Sequence, residues 1–279
     1  MLHKESPVRP TLLYITNLSY QAKGRVYYEE DLFITAQLRD AFQIALCHPQ
    51  DTAAFEAAAD VIVFRNTGPV LEYREAYLAF RQRLAGSGAK VFNDLNGKAD
   101  MRGKQYLVDL TRAGLPVIPS VDCRDDLDRL PAAVTYVVKD KDGADSIGMA
   151  FVSPAELVQV AFDNTLAQPK IDFQYEVSFY FINQAFQYAA YAPDPAQRWR
   201  MVTYPATPSD IAWARQFIDW NTITHGIQRV DACRTQSGEL LLVELEDLNP
   251  YLSLLDVTAD LRDAFIANLK AALTRLLTA

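Results

Sequence analysis

Residues 227–250 read IQRVDACRTQSGELLLVELEDLNP. Two runs that alternate apolar and polar residues flank TQSG, so the segment predicts a β-hairpin. With TQSG as the loop, Arg234 falls opposite Glu239 and Asp231 opposite Leu242. That register places Arg229, Asp231, Glu244 and Glu246 on one face and Val230, Ala232, Val243 and Leu245 on the other. One face is apolar, and the other carries three carboxylates and a guanidinium. Carboxylates this close repel one another unless a cation bridges them, and hard oxygen donors suit Mg2+ or Mn2+. Taken alone, the hairpin equally describes a solvated strand face with charges of both signs, and a loop one residue longer or shorter scatters the set.

Working back toward the N-terminus, YEVSFYFIN (175–183) and AFQYAAY (185–191) predict a second hairpin, and VTYVVK (134–139) with MAFV (149–152) another antiparallel pair. Ser153, Pro154 and Glu156 form a capping-box start for a helix running to about Phe162. Two more helices are expected near 209–220 and 259–277. The first hundred residues differ in kind: TLLYIT (11–16), QIALC (43–47), DVIVF (60–64) and KVFN (90–93) alternate with helical patterns near 30–41, 52–58 and 71–84. Strands and helices taking turns imply a parallel sheet covered by helices. A further helix over 100–113 closes at Gly114. The change of pattern puts a boundary near residue 95.

Half of the 279 residues are hydrophobic and 22% are charged, enough apolar material for a proper core. Lys and Arg number 27 against 35 Asp and Glu, a net charge of −8 that argues against a bulk grip on nucleic acid. TLLYI is too short for a signal-peptide core or a membrane span, so the expectation is a soluble, cytoplasmic protein with no membrane partner. Cys47, Cys123 and Cys233 are odd in number and widely spaced, as buried free thiols would be. His3, His48 and His225 are too dispersed for a triad or zinc set, and neither a dinucleotide fingerprint nor a GxSxG elbow occurs.

Two lysines stand out. Lys139 ends a β-type run ahead of a turn containing Gly143 and Gly148, where backbone amides can approach phosphate oxygens; an exposed hairpin tip has the same composition. Lys104 closes GKADMRGK, which fails as a phosphate loop because five residues separate Gly97 from Gly103 and Gln105 stands where Ser or Thr should be. Arg65 heads RNTGP at the carboxyl end of a predicted parallel strand, where open α/β sheets place ligands.

From about Asp60 to Asp256 the order of features resembles the ATP-grasp superfamily of carboxylate–amine ligases, the group of glutathione synthetase and D-alanine:D-alanine ligase. The resemblance rests on Asn96 and Lys104 followed by Gly114 and Pro116, on YVVK before a glycine loop, on AQPKIDFQYEVS, and on RVD twelve residues ahead of ELEDLNP. It implies an α/β fold, α+β overall. A Rossmann-like parallel-sheet domain (1–95) would precede an ATP-grasp domain (96–279), whose flap subdomain (about 120–168) and metal-binding subdomain (about 169–279) clasp ATP. Position by position, Lys104 and Lys139 resemble the lysines on the α- and β-phosphates, and the 142–148 loop with Gly143 and Ser146 resembles the flap over them. Gln168, Pro169, Lys170 and Ile171 match the strand that reads adenine, and Glu176 matches the ribose-binding acid. Arg229 resembles the catalytic arginine at the γ-phosphate, with Lys139 beside it, and Asp231 and Glu244 match metal-binding acids. Glu246 departs from the family's usual Asn, an amide that Asn249 could supply. Asp140 departs from the frequent proline.

The resemblance further implies cofactors ATP and Mg2+ (or Mn2+), and a reaction in which a carboxylate attacks ATP to give an acylphosphate that an amine displaces. Small-molecule acid and amine partners follow, an amino acid or short peptide among them. Apart from the resemblance, Arg65, Arg198 and Arg200 are candidates to meet the acid's carboxylate, with an exposed loop arginine (Arg65) or a plain surface charge (Arg198, Arg200) as the alternative. A non-ligating ATP-binding regulatory module and an ATP-dependent phosphotransferase are the alternatives. The chain is short for the family, which suggests a homodimer.

Overall fold

The computed structural model describes residues 8–22, 25–65, 73–143, 148–194, 197, 200–248 and 250–279. In chain order the strands and helices are β1 (Thr11–Ile15), β2 (Gln21–Ala22), β3 (Arg25–Val26), α1 (Tyr28–Leu38), β4 (Gln43–Cys47), β5 (Val61–Phe64), α2 (Arg74–Leu84) and β6 (Val91–Phe92). There follow α3 (Gln105–Arg112), β7 (Tyr136–Asp140), β8 (Ala150–Val152), α4 (Pro154–Leu157), β9 (Thr165–Pro169), β10 (Phe173–Ile182) and β11 (Ala185–Tyr191). The chain ends with β12 (Val202–Thr203), α5 (Pro208–Asn221), β13 (Ile227–Thr235), β14 (Leu240–Glu246) and α6 (Ala259–Thr278).

The N-terminal strands form a parallel sheet of order β4-β1-β5-β6. VIVF of β5 is buried at every position, as a parallel strand covered on both faces must be. Leu12, Tyr14, Val61 and Val63 pack on one side with Ile34 and Leu38 of α1 and with Phe265, Leu269 and Leu273 of α6. Leu13, Ile15, Ile62 and Phe64 pack on the other with Tyr77 and Phe80 of α2. The last helix of the chain therefore lies on the first sheet, and Tyr180, Tyr188 and Ile227 of the C-terminal sheet join that same core.

That C-terminal sheet is antiparallel with order β12-β11-β10-β13-β14, and α3 and α5 cover its apolar face through Leu107, Leu110, Ala214 and Phe217. A smaller antiparallel sheet, β8-β7-β9, packs Tyr136, Val138 and Ala167 against Val121, Leu130 and Leu157. Isolated bridges from Val117 to Leu242 and from Val121 to Ala167 tie the two sheets through one connecting segment.

Two expected helices are much shorter. Residues 52–58 form two single 3-10 turns, Thr52–Ala54 and Glu56–Ala58, because seven residues barely exceed the cost of helix nucleation. The helix after Ser153 has the expected capping box but stops at Leu157, where β-branched Val158 and Val160 lead the chain toward β9. Residues 100–113 split into a 3-10 turn, Asp100–Arg102, and α3. Among the described residues, no helix is long and apolar enough to cross a membrane.

Candidate active site

The β13–β14 hairpin brings its acids together by a route the sequence did not predict. Near the tip Arg234 pairs with Leu240 and Ala232 with Leu242, one residue out of the expected register. Continued along the strands, that pairing would set Asp231 opposite Val243 and turn Glu244 toward the core. A β-bulge between Asp231 and Ala232 skips Val243, so that Asp231 faces Glu244 and Arg229 faces Glu246. Val243 is thus the extra, half-buried residue of the bulge, and fully buried Leu242, expected on the charged face, takes the core position expected of Val243. The charged face survives because two one-residue shifts leave the alternation intact.

On that face Asp231, Glu244 and Glu246 each offer a carboxylate oxygen, and these oxygens lie within 4.8 Å of one another. Arg229 grips Asp231 with Nε (2.9 Å to Oδ1) and Nη2 (2.8 Å to Oδ2), reaches Glu246 Oε1 at 2.6 Å, and donates from Nη1 to the Tyr251 carbonyl at 2.7 Å. Ser178, opposite Asp231 on β10, donates to its Oδ1 at 2.6 Å. Lys104 Nζ lies 2.7 Å from Glu244 Oε1.

Lys139 joins from the small sheet. Tyr136 and Val138 point into their own core, so alternation turns Val137 and Lys139 to the opposite face, where Lys139 feels the charges of Glu244, Lys104 and Glu176. Burial lowers the Lys139 pKa. Burial by itself raises the Glu244 carboxyl, but Lys104, Lys139 and Arg229 together outweigh it and hold Glu244 well below the usual carboxylate range. Glu246 moves the other way: burial and the neighbouring charges of Asp231 and Glu244 push it up despite Arg229. The three acids thus sit in unequal environments, Glu244 held ionised by the cations and Glu246 favouring its protonated form.

Lys104 is placed by close packing. Asp247, wholly buried, accepts from the backbone amides of Ala99 (3.0 Å) and Met101 (2.9 Å) and from Asn221 Nδ2 (3.0 Å). Asp100 Oδ1 accepts in return from the amides of Asp247 and Leu248. A Cβ at Gly97 would stand 2.3 Å from Asp247 Oδ2, so only glycine lets the turn approach this closely. Gly103 has φ +80°, and a Cβ there would meet Asp142 Oδ1 at 2.9 Å; the next amide, of Lys104, donates to the Lys141 carbonyl at 2.6 Å. The two glycines of GKADMRGK therefore serve backbone approach at both ends of the turn.

Glu176 lies on β10 opposite Cys233 and near Lys139, and Gly143, buried, donates its amide to the Asp140 carbonyl. Gln168 and Pro169 are buried on β9; the Gln168 side chain donates to Ser120 Oγ at 2.7 Å, the Lys170 amide is spent on the Thr135 carbonyl, and Ile171 is half-buried. Arg65 is buried between the carboxylates of Glu30 and Asp31 and donates to the Pro250 carbonyl at 3.0 Å, so its charge is already matched inside the protein. Arg200 is exposed. Ser146, Arg198 and Asn249 lie outside the described residues. Ser178 and Tyr251 were not foreseen: the first needs the β10–β13 register, and the second acts through its carbonyl, which no sequence pattern marks.

This fold, a parallel sheet with a five-stranded and a three-stranded antiparallel sheet, is similar to that of solved structures. D-cycloserine synthetase DcsG matches with a TM-score of 0.70 at 20% identity over 93% of this chain and 99% of that one. The chain has the ATP-grasp fold. D-alanine–D-alanine ligase from Bacillus anthracis in complex with ATP matches at TM-score 0.67 and 13% identity, over 96% of this chain and 97% of the ligase. The ATP-grasp ligase PsnB, complexed with precursor peptide PsnA2 and AMPPNP, matches at 0.64 and 14% identity, over 98% and 99%. No protein-family model and no curated protein matches the sequence. At these identities the ATP-grasp likeness is one of backbone.

Proposed function

We propose that the protein is an ATP-dependent carboxylate–amine ligase, forming ADP, phosphate and an amide, and that its acid substrate is an amino acid or short peptide. The observation that carries this reading is the cluster of Asp231, Glu244 and Glu246 set beside Lys104, Lys139 and Arg229. Three hard oxygen donors within 4.8 Å of one another fit a divalent ion such as Mg2+. When bound, that ion supplies neutralisation of the phosphate chain. Lys104 and Lys139 have the charge and burial to hold phosphate oxygens, and Arg229 to face the phosphoryl group being transferred.

In this reading the substrate carboxylate attacks the γ-phosphorus, the bond to the β-phosphate oxygen breaks, and ADP leaves. The amine then displaces phosphate from the acylphosphate. No protein nucleophile is required, in keeping with a site built from charges. Among the similar structures, a D-alanine–D-alanine ligase carries ATP and PsnB carries a precursor peptide, which supports the amino acid or peptide class for the acid.

Phosphate release from Mg-ATP, screened against pairs of amino acids, tests the proposal. Release that requires both an acid and an amine supports ligation. ADP formed with a stable phosphorylated acceptor would instead mean phosphotransfer, and nucleotide binding without turnover for any pair would mean a non-ligating module.

A further inference from the structure

Behind the acidic hairpin, the loop 250–254 is held almost entirely by side chains from other elements. The Pro250 carbonyl accepts from Arg65 Nη2 (3.0 Å), the Tyr251 carbonyl from Arg229 Nη1 (2.7 Å) and the Leu252 carbonyl from the Tyr188 hydroxyl (2.7 Å). The amides of Leu252 (3.0 Å) and Leu254 (2.7 Å) both donate to the Glu30 carboxylate, flanking Ser253 at φ +50°. Glu30 and Arg65 are themselves paired, and both are buried, with exposures of 0% and 2%. Arg65 also meets Asp31, whose oxygens accept from Tyr14 (2.8 Å) and Thr16 (2.5 Å). The pair sits where the strand order of the parallel sheet reverses, at the carboxyl ends of β1 and β5.

We propose that Glu30 is a positioning residue for Arg229: with Arg65 it fixes the 250–254 backbone, so that the Tyr251 carbonyl holds the Arg229 guanidinium in its place at the acid cluster. A planar guanidinium that must meet a phosphoryl group needs its other donors fixed, and outer partners of this kind typically control activity by about 10-fold to 100-fold. The inference rests on the ligase reading for its catalytic consequence, but the wiring itself is independent of it.

The test is Glu30→Gln in the full chain. This change takes Arg65 from two carboxylate partners to one, Asp31, so no buried cation is left unmatched. The readout is the arginine Nε–H region of a nitrogen-15 spectrum, with the Arg229 signal assigned by its loss in Arg229→Lys. We expect the Arg229 signal to shift or broaden while that of Arg234, held separately by Asp210 and Tyr175, stays put. We also expect kcat to fall by about 10-fold or more with the KM for ATP within about twofold. An unmoved Arg229 signal overturns the proposal, and so does equal broadening of Arg229 and Arg234, which would mean general loosening. If Glu30→Gln does not fold, Tyr188→Phe removes another tether of the same loop and is read in the same way, an unmoved Arg229 signal again being fatal. A protein whose Arg229 signal responds but which turns over no acid and amine pair refutes the ligase reading and leaves the wiring standing.

Discussion

Lys104 Nζ and Glu244 Oε1 lie 2.7 Å apart although 140 positions separate them in the chain. The contact joins the turn before α3 to the C-terminal hairpin and draws on groups that are each costly to bury alone. Charge-assisted hydrogen bonds of this kind are the strong ones, and cutting one partner strands the other. Glu244→Gln, which keeps the shape and removes the charge, is expected to lower turnover by roughly a hundredfold, as loss of a preorganised charge partner commonly does. It should also weaken Mn2+ binding measured by electron paramagnetic resonance. Near-normal ATP consumption by this variant would remove Glu244 from the machinery.

The bulge at Val243 yields a sharper structural prediction. Deleting Val243 removes the extra residue and leaves an unbroken ladder in which Asp231 still faces Glu244 and Arg229 still faces Glu246. The acids then keep the charged face, and Leu242 and Leu245 keep the core. The expected result is a chain that retains a cooperative thermal transition by circular dichroism and still binds Mn2+. A deletion variant that does not fold, or that folds without binding Mn2+, would show that Val243 is not the surplus residue of the ladder.

Much of this was legible because it depends on local rules. β5 reads as a buried parallel strand from VIVF alone, and the cap of α4 from Ser153 to Glu156. The acids of the hairpin were legible as a set, yet only because the bulge cancels a loop one residue longer than expected. Arg65 shows the limit. Its place at a strand end suggested a ligand, whereas Glu30 and Asp31, two acids in the first turn of α1, enclose it. First-turn acids are ordinary helix chemistry, so nothing local marks them as partners for an arginine about 35 positions away.

The free thiols give a prediction that needs no substrate. Burial pushes the thiols of Cys47 and Cys233 up to about 11, and they are 5% and 0% exposed, whereas Cys123 is partly exposed. Because the thiolate is the reactive form, a thiol with a pKa near 11 is ionised to less than about 0.1% at pH 7.5. Titration with dithionitrobenzoate under native conditions should therefore label one thiol quickly and the other two only on unfolding. Rapid labelling of all three at pH 7.5 would contradict the packing around β4 and β13.

Acid sensitivity should be traceable to Asp210 at the start of α5. Burial by itself would raise this carboxyl, but Arg234 at 2.8 Å and the Thr207 amide and hydroxyl outweigh it, so its pKa in the folded protein is lowered. A lowered native pKa means that the folded state favours the ionised form. The stabilisation is then fully present above the unfolded value of about 4, and it is lost as the pH falls through the lower native value. Asp210→Asn keeps the shape of the cap and removes the charge, and it should cost about 1 kcal/mol at pH 7 as judged by urea unfolding. The gap between the two proteins should shrink as the pH falls from 7 to 3, because the unfolded chain then binds a proton that the folded Asp210 resists. A difference that stays the same at pH 7 and pH 3 would show that the ion pair with Arg234 contributes nothing that depends on charge.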